Sequence, residues 1–297
     1  MRKPPPLSSL SRYPVTGSVG VAAIVVTLAW MSGRNIAPLE MNSLAWHGEP
    51  WRLTTSALPH VGWIHLFFNL SWLWVFGTLI EEHFGSLRML GLMVLLAVTS
   101  SAAEYTLFTG GVGLSGVVYG FFAFLWVLQR RDPRFADAMD NRTAGLFVVW
   151  FFLCVFLTVT AILPIGNAAH ACGAVVGAGV GAAAVERGAR RTGACLALVL
   201  FAAAILISAV LFRPVLNVSG ARDVELEKLG YDALMSNDNE RACRYLRAAT
   251  AMRHADPSAW SNLGIAYQRL GRWADADRAY KRAAEARSAI APSARSE

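Results

Sequence analysis

The sequence predicts an all-α fold, in which a polytopic bundle of membrane helices is followed by a small domain of helical repeats. Hydrophobic residues make up 55% of the 297 residues, and the mean hydropathy is +0.41. Both values favour a membrane protein over a soluble one. Apolar runs of about membrane-spanning length follow one another from Val15 to Phe212, whereas roughly the last 75 residues are polar and rich in Ala and Arg.

The chain begins with a short polar segment before its first apolar run. Residues 1–14 are basic and contain three consecutive prolines, which predicts a disordered cytoplasmic segment. The first span covers about 15–31, and we interpret it as a retained helix because no clear signal-peptide cleavage site follows it. Residues 32–59 form a long connector in which Trp51 and other aromatic side chains suit the membrane interface.

Six further spans complete the predicted membrane region. They cover about 61–80, 87–108, 115–129, 144–163, 166–185 and 193–212. We expect a six-helix core over 15–190 and a seventh helix over 191–213. Eleven Lys and Arg residues lie on the N-terminal side of the spans and two on the other, which predicts a multi-pass protein of the cell membrane with a cytoplasmic N-terminus. The C-terminal repeats are then periplasmic or extracellular.

The polar tail is self-similar at a spacing near 34 residues, the period of a tetratricopeptide repeat. One copy resembles that repeat closely, at Trp260, Leu263, Gly264, Tyr267, Gly271, Trp273, Ala276, Tyr280 and Ala283. Shifting back by 34 residues finds a degenerate copy at Leu229, Gly230, Ala242 and Ala249. The alternative is an ordinary helical hairpin. We predict a linker at 214–222, repeats over 223–290 that bind a peptide or protein partner, and a disordered tail at 291–297.

Polar side chains recur inside three of the predicted spans. His60, His65 and Asn69 belong to the second span, Ser115 begins the fourth, and His170 lies early in the sixth. Such groups are expensive in a membrane helix and therefore indicate function. At about 1.5 Å per residue, the last four of them lie roughly 18–25 Å above the cytoplasmic ends of their spans. The prediction is one polar layer in the outer half of the membrane.

The chemistry of these groups points to nucleophilic catalysis. A serine hydroxyl needs a base to accept its proton, and His170 is the best-placed titratable group for Ser115. His65 and Asn69, four residues apart, together with the Ser115 amide, can stabilise an oxyanion. Small residues such as Gly116 on the fourth span, and glycines on the sixth, allow the close approach that a Ser115–His170 contact needs. No carboxylate is positioned to orient His170, which predicts a dyad.

Each of these features also has a structural interpretation. A G-x-S-G sequence alone is weak, since Gly and Ser are common wherever membrane helices pack closely. His65 and Asn69 can serve as interhelical hydrogen-bonding groups, and His170 as a buried core histidine. The four cysteines form no C-x-x-C pair, so we predict neither a disulfide framework nor a metal site, and no cofactor. The net charge of +7 comes mostly from arginines beside the spans, which gives little support to nucleic-acid binding.

Taken in order, these motifs resemble the rhomboid family of intramembrane serine proteases. The resemblance covers about residues 15–190 and rests on HxxxxHxxxN in the second span, GxSG at the fourth and AHxxGxxxG in the sixth. It implies that Ser115 is the nucleophile, that His170 is the general base, and that His65, Asn69 and the Ser115 amide form the oxyanion hole. It implies supporting roles for four further residues: His60, Gly113, Gly116 and Tyr119.

The expected function is therefore cleavage of transmembrane or juxtamembrane segments of membrane proteins within the lipid bilayer. A catalytically silent relative that binds membrane clients as a chaperone or adaptor, with its repeats recruiting partners, is the alternative. A transporter could also use polar groups between glycine-interrupted helices. It should show internal symmetry in the membrane region, which the sequence lacks.

Overall fold

A computed structural model describes residues 3–46, 48–219, 222–251 and 256–290. Within these ranges the chain is helical and contains no strand. Its long helices are α1 (Pro14–Met31), α2 (Trp63–Phe84), α3 (Ser86–Leu107), α4 (Ser115–Arg131), α5 (Asn141–Val159), α6 (Asn167–Val185), α7 (Gly188–Phe212), α8 (Arg222–Met235), α9 (Asn239–Thr250), α10 (Pro257–Arg269) and α11 (Trp273–Ile290). The chain divides into two compact units between Leu216 and Asn217.

Six helices of the first unit, α1, α2, α3, α5, α6 and α7, are long and apolar enough to cross a membrane. The chain is therefore a multi-pass membrane protein. Helix α4 has 17 residues and is mostly buried among its neighbours. At about 1.5 Å per residue it is roughly 25 Å long, shorter than a hydrocarbon core of about 30 Å. At least one end of this central helix therefore lies at membrane depth.

Residues 3–13, which precede α1, are ordered, contrary to the sequence-based expectation of disorder. Leu7–Arg12 form a 3-10 helix, and Trp74 Nε1 donates a hydrogen bond to the Pro5 carbonyl over 2.8 Å. Leu10 packs on Gly17, where an added Cβ would lie 3.0 Å from Leu10 Cγ. Pro-rich basic composition predicts disorder only when no neighbour offers such contacts. Residues 291–297, predicted to be disordered, lie outside the described residues.

Glu81 joins the first three helices and explains why α2 continues to Phe84 instead of ending near Ile80. Its buried carboxylate accepts hydrogen bonds from the amides of Val15 and Thr16, both at 2.9 Å, and from the Thr16 hydroxyl at 2.7 Å. The Ser86 hydroxyl donates a fourth over 2.8 Å. The two amides belong to the first turn of α1, which has no intrahelical acceptors for them. Glu81 thus fixes the start of α1 against the end of α2.

The connector between α1 and α2 is held by a buried arginine. Arg52 donates to the carbonyls of Ala37 and Glu40 and forms an ion pair with Glu49. Ser56 extends the same connector toward the bundle, because its hydroxyl lies 2.9 Å from that of Ser101 on α3. The connector therefore packs as part of the folded unit.

Helix α7 is attached to the end of α3. Buried Arg213, directly after α7, donates to the Phe108 carbonyl over 2.7 Å, and its guanidinium lies 3.5 Å from the ring centroid of Tyr105. Ala209 of α7 packs in the same apolar cluster as Tyr105 and Met41 of the connector. The seventh helix is thus part of the packed membrane unit.

The second unit is built from two helical hairpins, α8–α9 and α10–α11. A Cβ added to Gly264 would lie 2.5 Å from the Tyr280 ring, and one added to Gly230 would lie 2.4 Å from Leu246. Gly230 and Leu246 stand 34 residues before Gly264 and Tyr280, so the same close contact recurs in each hairpin. These helical repeats are the predicted ones, and the degenerate copy differs by a leucine in place of the tyrosine.

Candidate active site

Helices α4 and α6 meet along a line of glycines. A Cβ added to Gly173 would lie 2.0 Å from the Gly116 carbonyl oxygen, and one added to Gly177 would lie 2.0 Å from that of Gly120. No side chain fits at these positions, so the two backbones are in direct contact. Such close approach is how small residues bring membrane helices together. It sets the distance between the first turns of both helices.

Ser115 and His170 face each other at the end of this contact that lies nearest the N-termini of both helices. Ser115 Oγ lies 2.7 Å from His170 Nε2, at hydrogen-bond distance. The Ser115 side chain is half-buried, whereas His170 is only 4% exposed. His170 Nδ1 is buried, and no described residue forms a hydrogen bond with it. The Ser115 hydroxyl therefore lies next to an imidazole nitrogen, and its side chain remains partly exposed.

Tyr119, one turn after Ser115, covers one face of the imidazole. Its ring is stacked on that of His170, with centroids 4.6 Å apart and planes at 25°. The Tyr119 hydroxyl donates to the Phe147 carbonyl over 3.2 Å, which fixes the ring. The stack limits rotation of the imidazole and keeps Nε2 directed toward Ser115.

His60 holds the loop that leads into Ser115. Its Nε2 accepts a hydrogen bond from the Leu114 amide over 3.2 Å, and its Nδ1 lies 2.9 Å from the Leu58 carbonyl. Burial, together with the nearby His65, lowers the pKa of His60 to about 4. The neutral ring can therefore donate at Nδ1 and accept at Nε2, as the two contacts require.

Gly113 brings the same loop against His65. Its φ is +113°, in a region that favours glycine, and an added Cβ would lie 2.6 Å from His65 Cε1. The Gly113 amide donates to the Ser56 carbonyl over 3.0 Å. The His65 ring thus lies beside the loop two residues before Ser115.

Asn69 lies one turn after His65 on α2 and is buried. Its Nδ2 donates to the His65 carbonyl over 2.9 Å, so one of its two N–H groups is used within the helix. A side-chain amide has a second N–H group that remains available to another acceptor. Ser115 is the first residue of α4, and the first amides of a helix lack intrahelical acceptors.

Sequence reasoning missed Glu104, a buried carboxylate on α3. Its Oε2 accepts a hydrogen bond from the Ala169 amide over 3.0 Å, next to His170 in the chain. A single carboxylate in the third predicted span was the available signal, since charges there are rare.

Among the described residues, no group of three or more His, Cys, Asp or Glu residues is arranged to hold a metal ion.

Sequence comparison identifies the membrane unit. The family described as Rhomboid domain matches residues 47–187. These residues are therefore similar to a rhomboid domain. Within the second unit, the family described as Tetratricopeptide repeat matches residues 257–288, which confirms the predicted repeat. The chain therefore combines a rhomboid-like membrane unit with a C-terminal tetratricopeptide tail.

Curated relatives of the rhomboid domain include the Rhomboid protease GlpG of Photorhabdus laumondii, 33% identical over 171 residues. The proteins of the same name from Yersinia pseudotuberculosis and Yersinia pestis are each 31% identical over 172 residues. Each match covers 55% of this chain. The chain spans 59% of the Photorhabdus protein and 60% of the Yersinia proteins.

Proposed function

We propose that this protein is an intramembrane serine endopeptidase that uses Ser115 and His170 as a catalytic dyad. The observation that carries the proposal is the 2.7 Å separation of Ser115 Oγ and His170 Nε2, beside a glycine contact that leaves room for no side chain. The names of the relatives, which are rhomboid proteases, support it. No cofactor is required by this chemistry.

In the proposed reaction His170 Nε2 takes the proton of the Ser115 hydroxyl as Oγ attacks the carbonyl carbon of the scissile peptide. The carbonyl oxygen becomes an oxyanion in a tetrahedral intermediate. When that intermediate collapses, the imidazolium of His170 protonates the leaving amine and the C–N bond breaks. A water molecule then attacks the acyl-enzyme, with His170 again as the base, and releases the second product.

We assign stabilisation of the oxyanion to His65, Asn69 and the Ser115 amide. This assignment is supported by the position of the His65 ring against Gly113 and by the second N–H group of Asn69. Preorganised donors of this kind stabilise charge that develops in the transition state. His60, Gly113, Gly116 and Tyr119 would support the site by holding the serine loop, the helix contact and the imidazole.

The proposed substrates are transmembrane or juxtamembrane segments of membrane proteins. Every backbone amide of an intact helix is already hydrogen-bonded in the bilayer, so exposing one carbonyl for attack costs free energy. A helix-destabilised segment that reaches the site laterally is therefore favoured. We further propose that the N-terminus is cytoplasmic in the cell membrane and that the repeats bind a peptide or protein on the other side, since arginines flank the spans asymmetrically.

The test is cleavage of a single-span reporter in proteoliposomes by the wild type, Ser115→Ala and His170→Ala. We expect the wild type to cleave and both variants to lose cleavage while keeping the thermal midpoint of a folded protein. Ser101→Ala is the matched control because it removes a hydroxyl from α3 that bonds only to Ser56 Oγ among the described contacts. Cleavage by Ser115→Ala at the wild-type rate would refute the dyad.

Labelling with a fluorophosphonate distinguishes the alternative. A wild type that is neither labelled at Ser115 nor able to cleave several reporters would indicate a catalytically silent protein that binds membrane clients. A wild type that is labelled but does not cleave the reporter has a reactive serine and needs a different substrate.

A further inference from the structure

Glu104 is a buried carboxylate that the proposed reaction does not use. It lies in α3 and is only 4% exposed, and among the described residues no cation forms an ion pair with it. An ionisable group at membrane depth is expensive unless hydrogen bonds compensate for its burial. Its partners therefore indicate its role.

One face of the carboxylate caps the start of α6. Glu104 Oε2 accepts from the Ala169 amide over 3.0 Å, and the Ala168 amide also interacts with the carboxylate. Both amides belong to the first turn of α6, where the helix itself supplies no acceptor and the dipole favours negative charge. Gly166, just before α6, also lies beside this side chain, since a Cβ there would be in ordinary contact with Glu104 Cδ at 3.4 Å. The capped turn ends at His170.

The Glu104 side chain also lies close to the loop that precedes Ser115. A Cβ added to Gly111 would lie 3.3 Å from Glu104 Cγ, closer than an ordinary contact. One side chain thus borders both chain segments that must meet at the site. The same carboxylate makes no hydrogen bond to the imidazole, whose Nδ1 has no partner among the described residues.

We propose that Glu104 is a positioning residue for the dyad, an inference that rests on the proposed protease function. By capping α6 next to His170 and bordering the loop before Ser115, it keeps Nε2 and Oγ at reacting distance. It touches neither reacting atom. A hydrogen-bond acceptor suffices for this role, so the amide oxygen of glutamine can replace the carboxylate, whereas leucine cannot.

The test compares Glu104→Leu, Glu104→Gln and the control Thr106→Val. Thr106 is buried on the same helix, and its hydroxyl donates to the Ala102 carbonyl of that helix. We expect Glu104→Leu to lower kcat for the reporter by about 10–100-fold with KM nearly unchanged, as for a displaced catalytic group. Fluorophosphonate labelling of Ser115 should slow by a similar factor. Glu104→Gln should recover most of both rates, and Thr106→Val should keep them.

Amide hydrogen exchange of the peptide covering 166–172 provides a readout that does not need catalysis. We expect faster exchange in Glu104→Leu and near wild-type exchange in Glu104→Gln. The proposal is overturned if Glu104→Leu has the kcat of the wild type. It is also overturned if Thr106→Val, with the same decrease in thermal midpoint as Glu104→Leu, loses the same amount of activity. If the wild type itself neither cleaves nor is labelled, the protease function fails. In that case the positioning role is tested separately, and it is refuted if amide hydrogen exchange of the 166–172 peptide is the same in Glu104→Leu as in the wild type.

Discussion

Replacing Gly173 by alanine tests whether the α4–α6 contact sets the geometry of the dyad. The new Cβ would lie 2.0 Å from the Gly116 carbonyl oxygen, and ordinary contact begins at 3.4 Å, so the two backbones must separate by about 1.4 Å. A second neighbour is also close, because Ser100 Oγ would lie 3.1 Å from the same Cβ. The obstacle is backbone, which cannot rotate away.

Such a separation would break the contact between Ser115 and His170, because His170 lies one turn before Gly173 on the same helix. Their 2.7 Å distance would approach 4 Å, beyond the roughly 3.2 Å limit of a good hydrogen bond. We expect cleavage of the reporter in proteoliposomes to fall by about 100-fold or more. Overpacking should also lower the free energy of unfolding by about 1–3 kcal/mol.

The matched control is Gly91→Ala on α3. No atom lies within 4 Å of an added Cβ there, so the change should leave cleavage intact and the stability unchanged or slightly higher. Both variants should be assayed well below their thermal midpoints, with fluorophosphonate labelling as a second measure of Ser115 reactivity. Wild-type cleavage by a folded Gly173→Ala protein would show that the dyad does not depend on this contact.

Three further predictions follow from buried contacts. Glu81→Ala removes the acceptor of hydrogen bonds from Val15, Thr16 and Ser86, and should lower the free energy of unfolding by about 3 kcal/mol or more. An unchanged midpoint of thermal unfolding would contradict this. The pKa of His60 is lowered from 6.5 to about 4 in the folded protein, so the free energy of unfolding should be at its full value above pH 6.5 and fall as the pH approaches 4. This fall should be less steep in His60→Gln. An equal dependence of stability on pH in the two proteins would show that His60 is not its cause. Gly264→Ala should speed limited proteolysis of the repeat unit, since its Cβ would meet a tyrosine ring at 2.5 Å, and resistance equal to the wild type would refute that.

The helices of the membrane unit were predictable because each is a continuous apolar run. The predicted first span, 15–31, and the observed helix Pro14–Met31 agree almost to the residue. The predicted second span ends at about residue 80, four residues before the observed end of α2, because a carboxylate that follows an apolar run usually marks the edge of a span. A buried carboxylate with four hydrogen-bond donors looks the same in sequence as one that faces water.

The contact of Ser115 with His170 could be anticipated because only side chains of specific types can perform that chemistry. Glu104 could not be assigned in this way, since its partners are backbone amides, which every residue except proline carries. The same limit applies to Arg213, whose acceptor is the Phe108 carbonyl. Sequence patterns report side-chain chemistry well and backbone partners poorly.

The bond between Arg213 and Phe108 has a consequence for how the protein is synthesised. It joins residues 105 positions apart, so the end of α3 acquires this partner only after the whole of α7 has left the ribosome and entered the membrane. We expect a nascent chain arrested before residue 213 to label poorly with fluorophosphonate and a chain arrested after the repeats to label fully. Full labelling of the shorter chain would contradict this expectation. The packed end of α3 would then form late in translation, after the helices that carry Ser115 and His170 have been synthesised.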